Sequence, residues 1–371
     1  MSPLRPRCLV VLSSSNQLYS GTGTALFNWI SFAKHAIDFS ILIDTYELRN
    51  ADIAARFCKK EGLRFIPSAS NPMPGCPDHG VREIARVFLS ESWDIIECVS
   101  WANASTNLDV LSSIGPTTKL IYTPHTQPLW TLTDEHYYFM VQSIFEKMLR
   151  RADCIFVDSN NELDEFALSV GIRDRAFHVP LGVDIETFHP GAASTKRQVL
   201  SVCDFAEPRK RVDLLLRAYS MAADIDPTIE LMLAGSRSAA VVVPDRDKGR
   251  VKRLGFVKLD ELVRLYQHCG VFVLLSDFEA FGLPIVESLC CGAPVVINRQ
   301  PVVEGLFGGL PGVTLVDNQD TPAVAQSILE AMNTRLSQSE IAAAAMARFS
   351  FTATYGRKLE RTLALLNSVR D

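Results

Sequence analysis

The chain has 371 residues, of which 47% are hydrophobic, enough to supply two domains with separate cores. Its net charge of −5 gives no general attraction to nucleic acid or to an anionic membrane. No apolar stretch approaches the roughly 18 residues needed to cross a bilayer, and the apolar run at residues 8–12 is too short for a secretory signal. We therefore expect a soluble globular protein without a nucleic-acid partner.

Cysteine usage predicts a reducing compartment. The nine cysteines include no Cys-x-x-Cys pair, and Cys290 and Cys291 are adjacent within a predicted helix. Neither a disulfide framework nor a zinc site is expected from this pattern. We interpret the cysteines in apolar segments as free thiols and take a cytoplasmic location as the default.

Strand-like and helix-like segments alternate along almost the whole chain, which predicts α/β architecture with parallel sheets. The first series has predicted strands at residues 8–12, 40–43, 95–98, 120–123 and 154–157, and helices that include 24–35 and 81–89. The second series has strands at residues 199–203, 229–234, 271–275, 294–297 and 313–316, and helices at 212–223, 259–268 and 283–291. Two doubly wound domains follow from this order.

The domain boundary is predicted in a segment rich in proline, glycine and polar residues that starts at His178. We expect a first domain at residues 1–180 and a second at 190–350. A last helix, at about 352–371, has no strand after it and is expected to pack back on the first domain.

Glu279 and Glu287 are separated by seven residues in a strand, loop and helix segment. Glu279 is predicted in the loop beyond the strand, and Glu287 about one turn into the helix, where ligands bind to open parallel sheets. Paired carboxylate oxygens at both positions can accept hydrogen bonds from the hydroxyl groups of a ligand. Backbone N–H groups at residues 280–283 suit a phosphate. The simpler interpretation, that both glutamates complement the helix dipole, stays open.

Two further loops follow predicted strands. Arg209 and Lys210 could neutralise the charge of an anionic ligand, although such a pair is usually a solvated turn. His125 follows the strand at residues 120–123 in the segment IYTPHTQPLW, although a lone histidine is more often a packing residue. The aromatic residues Trp130, Tyr137 and Tyr138 could stack on a sugar or belong to the core.

A glycine-containing loop is predicted before the first helix, with Gly21 and Gly23 flanked by the possible caps Thr22 and Thr24. Glycines there would let a ligand approach the backbone, or they form an ordinary turn. A dinucleotide fingerprint is not predicted, because residues 13–20 separate the strand from the glycines and Leu26 takes the third glycine position.

No metal site is predicted. Asp245 and Asp247 form an Asp-x-Asp pair, but it lies in the basic segment VPDRDKGR, whose Lys and Arg residues oppose a divalent cation.

Five segments together resemble the retaining GT-B glycosyltransferases of the glycogen-synthase and mannosyltransferase type. The two glutamates match the E-x7-E signature, PLGVDIETFHP from Pro180 resembles the interdomain link P-N-G-V-D, and EPRKRVDLLLRAY from Glu207 resembles P-R-K-G-x-x-x-L-L. The segments LMLAGS from Leu231 and GFVKLDELVRLYQHCGVFVLLS from Gly255 follow in family order. The resemblance covers most of the chain.

The resemblance implies two Rossmann-like domains that face a cleft. The second would bind a UDP- or GDP-linked hexose, which would be transferred with retention to a hydroxyl acceptor, either a sugar, a lipid-linked molecule or a small molecule, at the first. It implies no metal and no cofactor besides the donor. The implied catalytic residues are His125, Glu279 and Lys210. The resemblance implies that Glu279 binds the hydroxyls of the transferred sugar, that Glu287 binds the ribose, and that Arg209 and Lys210 neutralise the departing diphosphate. The implied donor-binding residues are Gly21, Gly23, Arg209, Lys210, Gly235, Val257, Glu279, Ala280, Phe281, Gly282, Leu283 and Glu287, with the base near Phe256 and Val257.

One departure from the family concerns the diphosphate. Cys203 and Asp204 stand where the family usually has Gly-Arg, so Lys210, with Arg209 or Arg211, is expected to hold the leaving group. The alternatives are a sugar phosphorylase or nucleotide-sugar epimerase of the same fold, or an inactive nucleotide-sugar-binding homologue, which Asp204 favours. A phosphorylase would need a lysine for pyridoxal phosphate, and none is evident.

A basic cluster leaves peripheral membrane association open. Its residues are Lys147, Arg150 and Arg151, which could equally be the polar end of a helix. No oligomeric state is predicted.

Overall fold

The structure is a computed structural model that describes residues 4–12, 21–44, 51–68, 91–99, 104–125, 135–164, 171–191 and 197–367. The chain divides into two compact units. The first is Met1–Gly182 together with Thr354–Asp371, and the second is Val183–Ala353. Each unit is an α/β layer structure with its own parallel sheet.

In the described part of the first unit, seven parallel strands form one sheet in the order β3-β2-β1-β4-β5-β6-β7. The central strands are buried on both faces, which explains why they are nearly continuous apolar runs. The strands are β1 (Arg7–Leu12), β2 (Asp38–Asp44), β3 (Arg64–Ser68), β4 (Ile95–Val99), β5 (Lys119–Thr123), β6 (Cys154–Val157) and β7 (Ala176–His178). The helices are α1 (Gly21–Ala33), α2 (Ala51–Glu61), α3 (Ala104–Ser113) and α4 (Glu135–Arg151).

Among the described residues of the second unit, six strands form a parallel sheet in the order β10-β9-β8-β11-β12-β13. Its strands are β8 (Gln198–Val202), β9 (Glu230–Ala234), β10 (Val251–Gly255), β11 (Val271–Leu274), β12 (Val295–Asn298) and β13 (Val313–Val316). The helices are α5 (Val212–Ile225), α6 (Leu259–His268), α7 (Leu283–Cys290), α8 (Pro301–Phe307), α9 (Thr321–Met332) and α10 (Gln338–Phe349). One hydrophobic cluster of this unit lies between the sheet and α5 and α9, and residues of α7, α8 and α10 are also buried.

The last helix, α11 (Phe351–Asn367), belongs to the first unit from Thr354 onward, as expected for a helix that returns to the first domain. Tyr355 donates a hydrogen bond from its hydroxyl to the carbonyl oxygen of Ala25 in α1, 3.2 Å away. Lys358 forms a buried ion pair with Glu97 of β4 over 2.6 Å. This helix is therefore attached to the first unit by both packing and charge.

All ten strands predicted from the sequence are present, with ends within about two residues of the prediction. Three strands were missed, and each departs from an apolar run: β3 contains a proline, β7 has three residues, and β10 carries exposed charges on an edge. The helix predicted at residues 81–89 lies outside the described residues. None of the described helices combines the length and apolar character that crossing a membrane needs.

The expected loop at Gly21 and Gly23 is wrong, because α1 begins at Gly21. The buried residues Gly23, Leu26, Ile30 and Ala33 recur at helical spacing, so the buried face of the helix extends back to Gly23. Both glycines thus lie in the first turn of a helix.

Candidate functional site

The centre of the second sheet contains a topological switch point. The chain leaves β8 towards β9 on one side and leaves β11 towards β12 on the other, while β8 and β11 are neighbours. In open parallel sheets, ligands bind in the crevice at the carboxyl ends of two such strands. The loops that follow β8 and β11 are therefore the candidate site.

The loop after β8 is an ordered turn. Asp204 accepts a hydrogen bond at Oδ1 from the Ala206 N–H over 3.0 Å, and the Lys210 N–H donates to the carbonyl oxygen of Glu207. Pro208–Lys210 is a short 3-10 helix that ends at Arg211, whose φ of 49° lies in the left-handed region. This geometry places Arg209, Lys210 and Arg211 in one tight turn after β8.

Lys210 and Glu279 form an ion pair across the switch point, with 2.5 Å between Lys210 Nζ and Glu279 Oε1. About a tenth of each side chain is exposed. Arg209 donates from its guanidinium to the carbonyl oxygen of Phe278 over 2.8 Å, and its own carbonyl accepts the N–H of Asp277. The predicted residues Arg209, Lys210 and Glu279 are thus brought together.

Each cation of the Arg209–Lys210–Arg211 run contacts a carboxylate. Arg209 pairs with Glu207 over 2.6 Å, and Arg211 pairs with Asp277 over 2.9 Å. The positive charge at this edge is therefore balanced within the unit, and an anionic ligand has to compete with these carboxylates or share the cations.

Three amide side chains hold the loop that carries Glu279, and sequence reasoning missed them. Gln300 accepts the N–H of Glu279 over 2.9 Å and donates to the carbonyl oxygen of Ser276. Asn298 donates to the same carbonyl, and Asn318 donates to Asp277 Oδ1 over 2.7 Å. The sequence signal that could have identified them is the occurrence of amide residues at or just after the ends of β12 and β13.

Glu287 is the fifth residue of α7, and its Oε2 accepts a hydrogen bond from the Tyr266 hydroxyl over 3.0 Å. Burial raises the pKa of Glu287 from 4.5 to about 7, although the bond from Tyr266 opposes part of this rise. Its carboxyl therefore changes charge near neutral pH. Sequence reasoning did not identify Tyr266.

The start of α7 combines buried side chains with a glycine in the left-handed region. Gly282 has a φ of 93°, and a Cβ there would lie 2.7 Å from Ile285 Cδ1. The ring of Phe281 packs against Phe307 and Phe349, and Leu283 is also buried. Any ligand contact at residues 280–283 would therefore depend on the backbone, as the sequence interpretation proposed.

Gly235 lies just after β9 and has a packing role. Its φ is 134°, and a Cβ would lie 2.1 Å from the carbonyl oxygen of Cys203. Its N–H donates to the carbonyl oxygen of Gly255 over 2.7 Å. Gly235 thus lets the ends of β8, β9 and β10 approach closely. Val257 follows β10, where the neighbouring Phe256 is 85% exposed.

His125 lies in the first unit just after β5, with its Nδ1 2.9 Å from Asp158 Oδ2. Both side chains are buried, at 8% and 4% exposed. A cavity of about 10 Å³ is lined by this pair and also by Glu97 and Lys358. Trp130 and the side chains of Tyr137 and Tyr138 lie outside the described residues. Lys147 and Arg150 are exposed on α4.

Asp247 of the Asp-x-Asp pair is a buried structural residue that hydrogen-bonds Ser220 and Arg250, whereas Asp245 is exposed beside Lys248. Within the described ranges, no group of three or more His, Cys, Asp or Glu residues is arranged to hold a metal ion.

The match to a known protein family lies in the second unit. Residues 196–334 match the family model described as Glycosyl transferases group 1. A D-inositol 3-phosphate glycosyltransferase of Mycobacterium sp. (strain KMS) is 31% identical over 210 residues, 49% of this chain and 45% of the relative. O-antigen chain mannosyltransferase B of Escherichia coli is 33% identical over 136 residues, 34% of each chain. The matched segments span less than half the length of these relatives.

Solved structures resemble the chain along nearly its whole length. A sucrose-phosphate synthase from Thermosynechococcus elongatus has a TM-score of 0.78 at 16% identity and covers 98% of this chain and 100% of its own. Anabaena HepE, solved in complex with UDP-glucose, has a TM-score of 0.76 at 16% identity, covering 97% of this chain and 100% of its own. These similarities confirm the predicted fold, two Rossmann-like parallel-sheet units of the GT-B class.

Proposed function

We propose that this chain, whose residues 196–334 form a domain of the glycosyl transferases group 1 family, moves a hexose-type sugar from a UDP- or GDP-linked donor to a hydroxyl acceptor. The proposal includes retention of anomeric configuration and no requirement for a metal ion. Retention is inferred from the resemblance of the E-x7-E segment to retaining enzymes. The acceptor class is a sugar, a lipid-linked molecule or a small molecule, and a cytoplasmic location stays a prediction.

The observation that carries the proposal is the Lys210–Glu279 ion pair at the switch point. Transfer breaks the bond between the anomeric carbon and the diphosphate, so negative charge grows on the leaving oxygens. Lys210 and Arg209 would stabilise that charge, because cations held in place before the reaction need no reorganisation. Glu279 would accept hydrogen bonds from the hydroxyls of the transferred sugar.

Because each cation is already paired with a carboxylate, binding of the donor would rearrange these ion pairs. The diphosphate would share Lys210 with Glu279, which keeps the ammonium group oriented before and after the donor arrives. Contact of the diphosphate with the Lys210 ammonium would take the place of a metal ion, as the proposed metal independence requires.

Glu287 would hold the ribose of the donor. Its carboxylate offers two acceptor oxygens for the diol, and the hydroxyl of Tyr266 fixes one of them. The backbone between Ala280 and Leu283 would contact phosphate at the start of α7. Because HepE was solved with UDP-glucose, uridine nucleotides are the first donors to test.

The first unit would supply the acceptor contacts and the predicted sugar-contacting residue His125. Gly21 and Gly23 stay predicted donor contacts, now from the first turn of α1 rather than from a loop. Val257 and Gly235 stay predicted donor contacts through the backbone.

A panel of UDP, GDP, ADP and their sugars tests the proposal by thermal shift, followed by turnover of the stabilising donor. A binder stabilises the fold once its concentration exceeds the dissociation constant. Glu279→Ala is expected to lower transfer at least a hundredfold, whereas Glu330→Ala, at an exposed glutamate of the same unit, leaves it unchanged. Unchanged transfer in Glu279→Ala would refute the assignment.

An inactive nucleotide-sugar-binding homologue is the second candidate, favoured by the carboxylates that pair with Arg209, Lys210 and Arg211. It predicts stabilisation by a nucleotide sugar without turnover over a broad acceptor panel. Product analysis with and without inorganic phosphate separates both candidates from a phosphorylase.

A further inference from the structure

His125 and Asp158 lie at the same edge of the first sheet. His125 follows β5 and Asp158 follows β6, and these parallel strands are neighbours. His125 Nδ1 lies 2.9 Å from Asp158 Oδ2 and 3.1 Å from Oδ1, so both carboxylate oxygens face one ring nitrogen. The contact is nearly closed to solvent, because less than a tenth of either side chain is exposed.

Contacts outside the pair hold Asp158, whereas His125 has an unusual backbone conformation. The backbone of His125 has a φ of 49°, a left-handed conformation that costs a residue with a Cβ about 1 kcal/mol or more. Asp158 donates its N–H to Glu162 over 3.0 Å and accepts a hydrogen bond at its carbonyl from His178. The backbone of Asp158 is therefore fixed beside His125 independently of the contact between the two side chains.

The other carboxylate that lines the same cavity is engaged elsewhere. Glu97 accepts hydrogen bonds from Lys358, Trp29 and Thr123. Asp158 is thus the carboxylate that acts on the imidazole of His125.

We propose that Asp158 is a positioning residue that holds His125 in the tautomer protonated on Nδ1, so that Nε2 accepts a hydrogen bond from a substrate hydroxyl. An ionised carboxylate can only accept, which requires the proton on Nδ1. In a neutral imidazole the other nitrogen then carries a lone pair. The site therefore selects a hydroxyl donor at this point. The inference rests on the proposed role of His125 as a sugar-contacting residue.

The tautomer is read directly by ¹H–¹⁵N multiple-bond NMR spectra of the full chain labelled with ¹⁵N-histidine, with His125 assigned from the spectrum of His125→Gln. The wild type is expected to show His125 protonated on Nδ1 and unprotonated on Nε2. Asp158→Asn replaces an acceptor oxygen by an amide donor and is expected to lose this pattern, while Asp158→Glu retains it. Asp164→Asn, at an exposed aspartate, is the matched control and leaves the spectrum unchanged.

Transfer kinetics test the second half of the inference. Asp158→Asn is expected to lower kcat tenfold or more with less than a threefold change in the donor KM, and Asp158→Glu recovers part of the loss. A wild-type spectrum with the proton on Nε2 would overturn the assignment without any variant. Full transfer by Asp158→Asn would overturn the role of the tautomer. A wild type that transfers no sugar refutes the proposed function, whereas the spectra still decide the Asp158–His125 relationship.

Discussion

Lys210 donates to Glu279 over 2.5 Å and thereby joins the loops that follow two neighbouring strands of the second sheet. Because only about a tenth of either side chain is exposed, removing one partner leaves a poorly solvated charge. The pair therefore contributes to the stability of the unit as well as to the proposed chemistry.

The first prediction is a coupling energy between these two residues. Lys210→Met and Glu279→Gln are each expected to lower the free energy of unfolding by about 1–3 kcal/mol, and the double variant loses less than the sum. Urea unfolding of the wild type, the two single variants and the double variant gives the coupling energy between the two residues. Additive losses within about 0.5 kcal/mol would contradict a direct interaction.

Lys210→Met is also expected to lower kcat about 10²- to 10³-fold, whereas the exposed Lys252→Ala leaves it unchanged.

The second prediction concerns the pH dependence of stability at Glu287. Because burial raises its pKa from 4.5 to about 7, the folded protein binds this proton more tightly than the unfolded chain. The stabilising contribution is complete below about pH 4.5 and is lost as pH rises to about 7, on the order of 1–3 kcal/mol for this partly exposed group. Between pH 5 and 8, the free energy of unfolding measured with urea is expected to change less with pH for Glu287→Gln than for the wild type. The same pH dependence in both proteins would mean that Glu287 does not titrate in this range.

The third prediction concerns ligand binding at the same carboxyl. Ionised Glu287 accepts two hydrogen bonds from a ribose diol, so affinity for a nucleotide sugar is expected to rise on the order of tenfold from pH 6 to pH 8. Calorimetry with the nucleotide sugar avoids the terminal phosphate of a free nucleotide, which itself titrates near pH 6. Glu287→Gln should bind weakly at both pH values, and Glu330→Gln should behave as the wild type. A parallel rise in Glu287→Gln would assign the effect to another group.

The fourth prediction concerns the close approach at Gly235. Alanine there would place a Cβ 2.1 Å from the carbonyl oxygen of Cys203 on a backbone with a φ of 134°. Gly235→Ala is expected to cost about 2 kcal/mol or more in the free energy of unfolding. Gly249→Ala is the control, because a Cβ at Gly249 would have no atom within 4 Å, and this variant should be neutral or slightly stabilising. Equal unfolding midpoints for the two variants would contradict a steric clash at Gly235.

The strands were largely predictable because most are apolar runs bounded by glycine, proline or polar residues. The prediction at residues 154–157 matches β6 at both ends, and that at residues 259–268 matches α6. The strand β10 was not predictable in this way, since it exposes Lys252 and Arg253 and is held by backbone pairing with β9. Its existence depends on a neighbour rather than on its own composition.

The candidate site was predictable only in part. Arg209, Lys210 and Glu279 each follow a predicted strand, so their convergence follows from parallel topology. The contacts of Gln300 and Asn318 with the Glu279 loop depend on the order of β11, β12 and β13, which the sequence does not state. The Asp158 partner of His125 is missed for the same reason.

The fifth prediction concerns the buried pair that attaches α11 to the first unit. Glu97 and Lys358 are 1% and 5% exposed, so Lys358→Met leaves an unpaired carboxylate in the interior. The free energy of unfolding is expected to fall by about 3–5 kcal/mol. The double variant Lys358→Met with Glu97→Gln should recover a large part of this loss, because no buried charge remains. Urea unfolding of the single and the double variant measures the two losses. An equal loss in the single and double variants would attribute the effect to the lost contact of the Lys358 ammonium with the ring of Trp29 rather than to the ion pair with Glu97.

The same pair predicts acid sensitivity. Burial alone would raise the pKa of Glu97, but Lys358 and the hydrogen bonds from Trp29 and Thr123 hold it below its usual 4.5. A lowered folded pKa means that the stabilisation is present above about pH 4.5 and is lost as pH falls through the folded value. Glu97→Gln should therefore show a smaller loss of stability between pH 5 and pH 3 than the wild type. The exposed Glu304→Gln, which breaks only a surface pair with Arg299, should keep the wild-type profile. If Glu97→Gln also keeps that profile, the acid-sensitive carboxylate lies elsewhere in the chain.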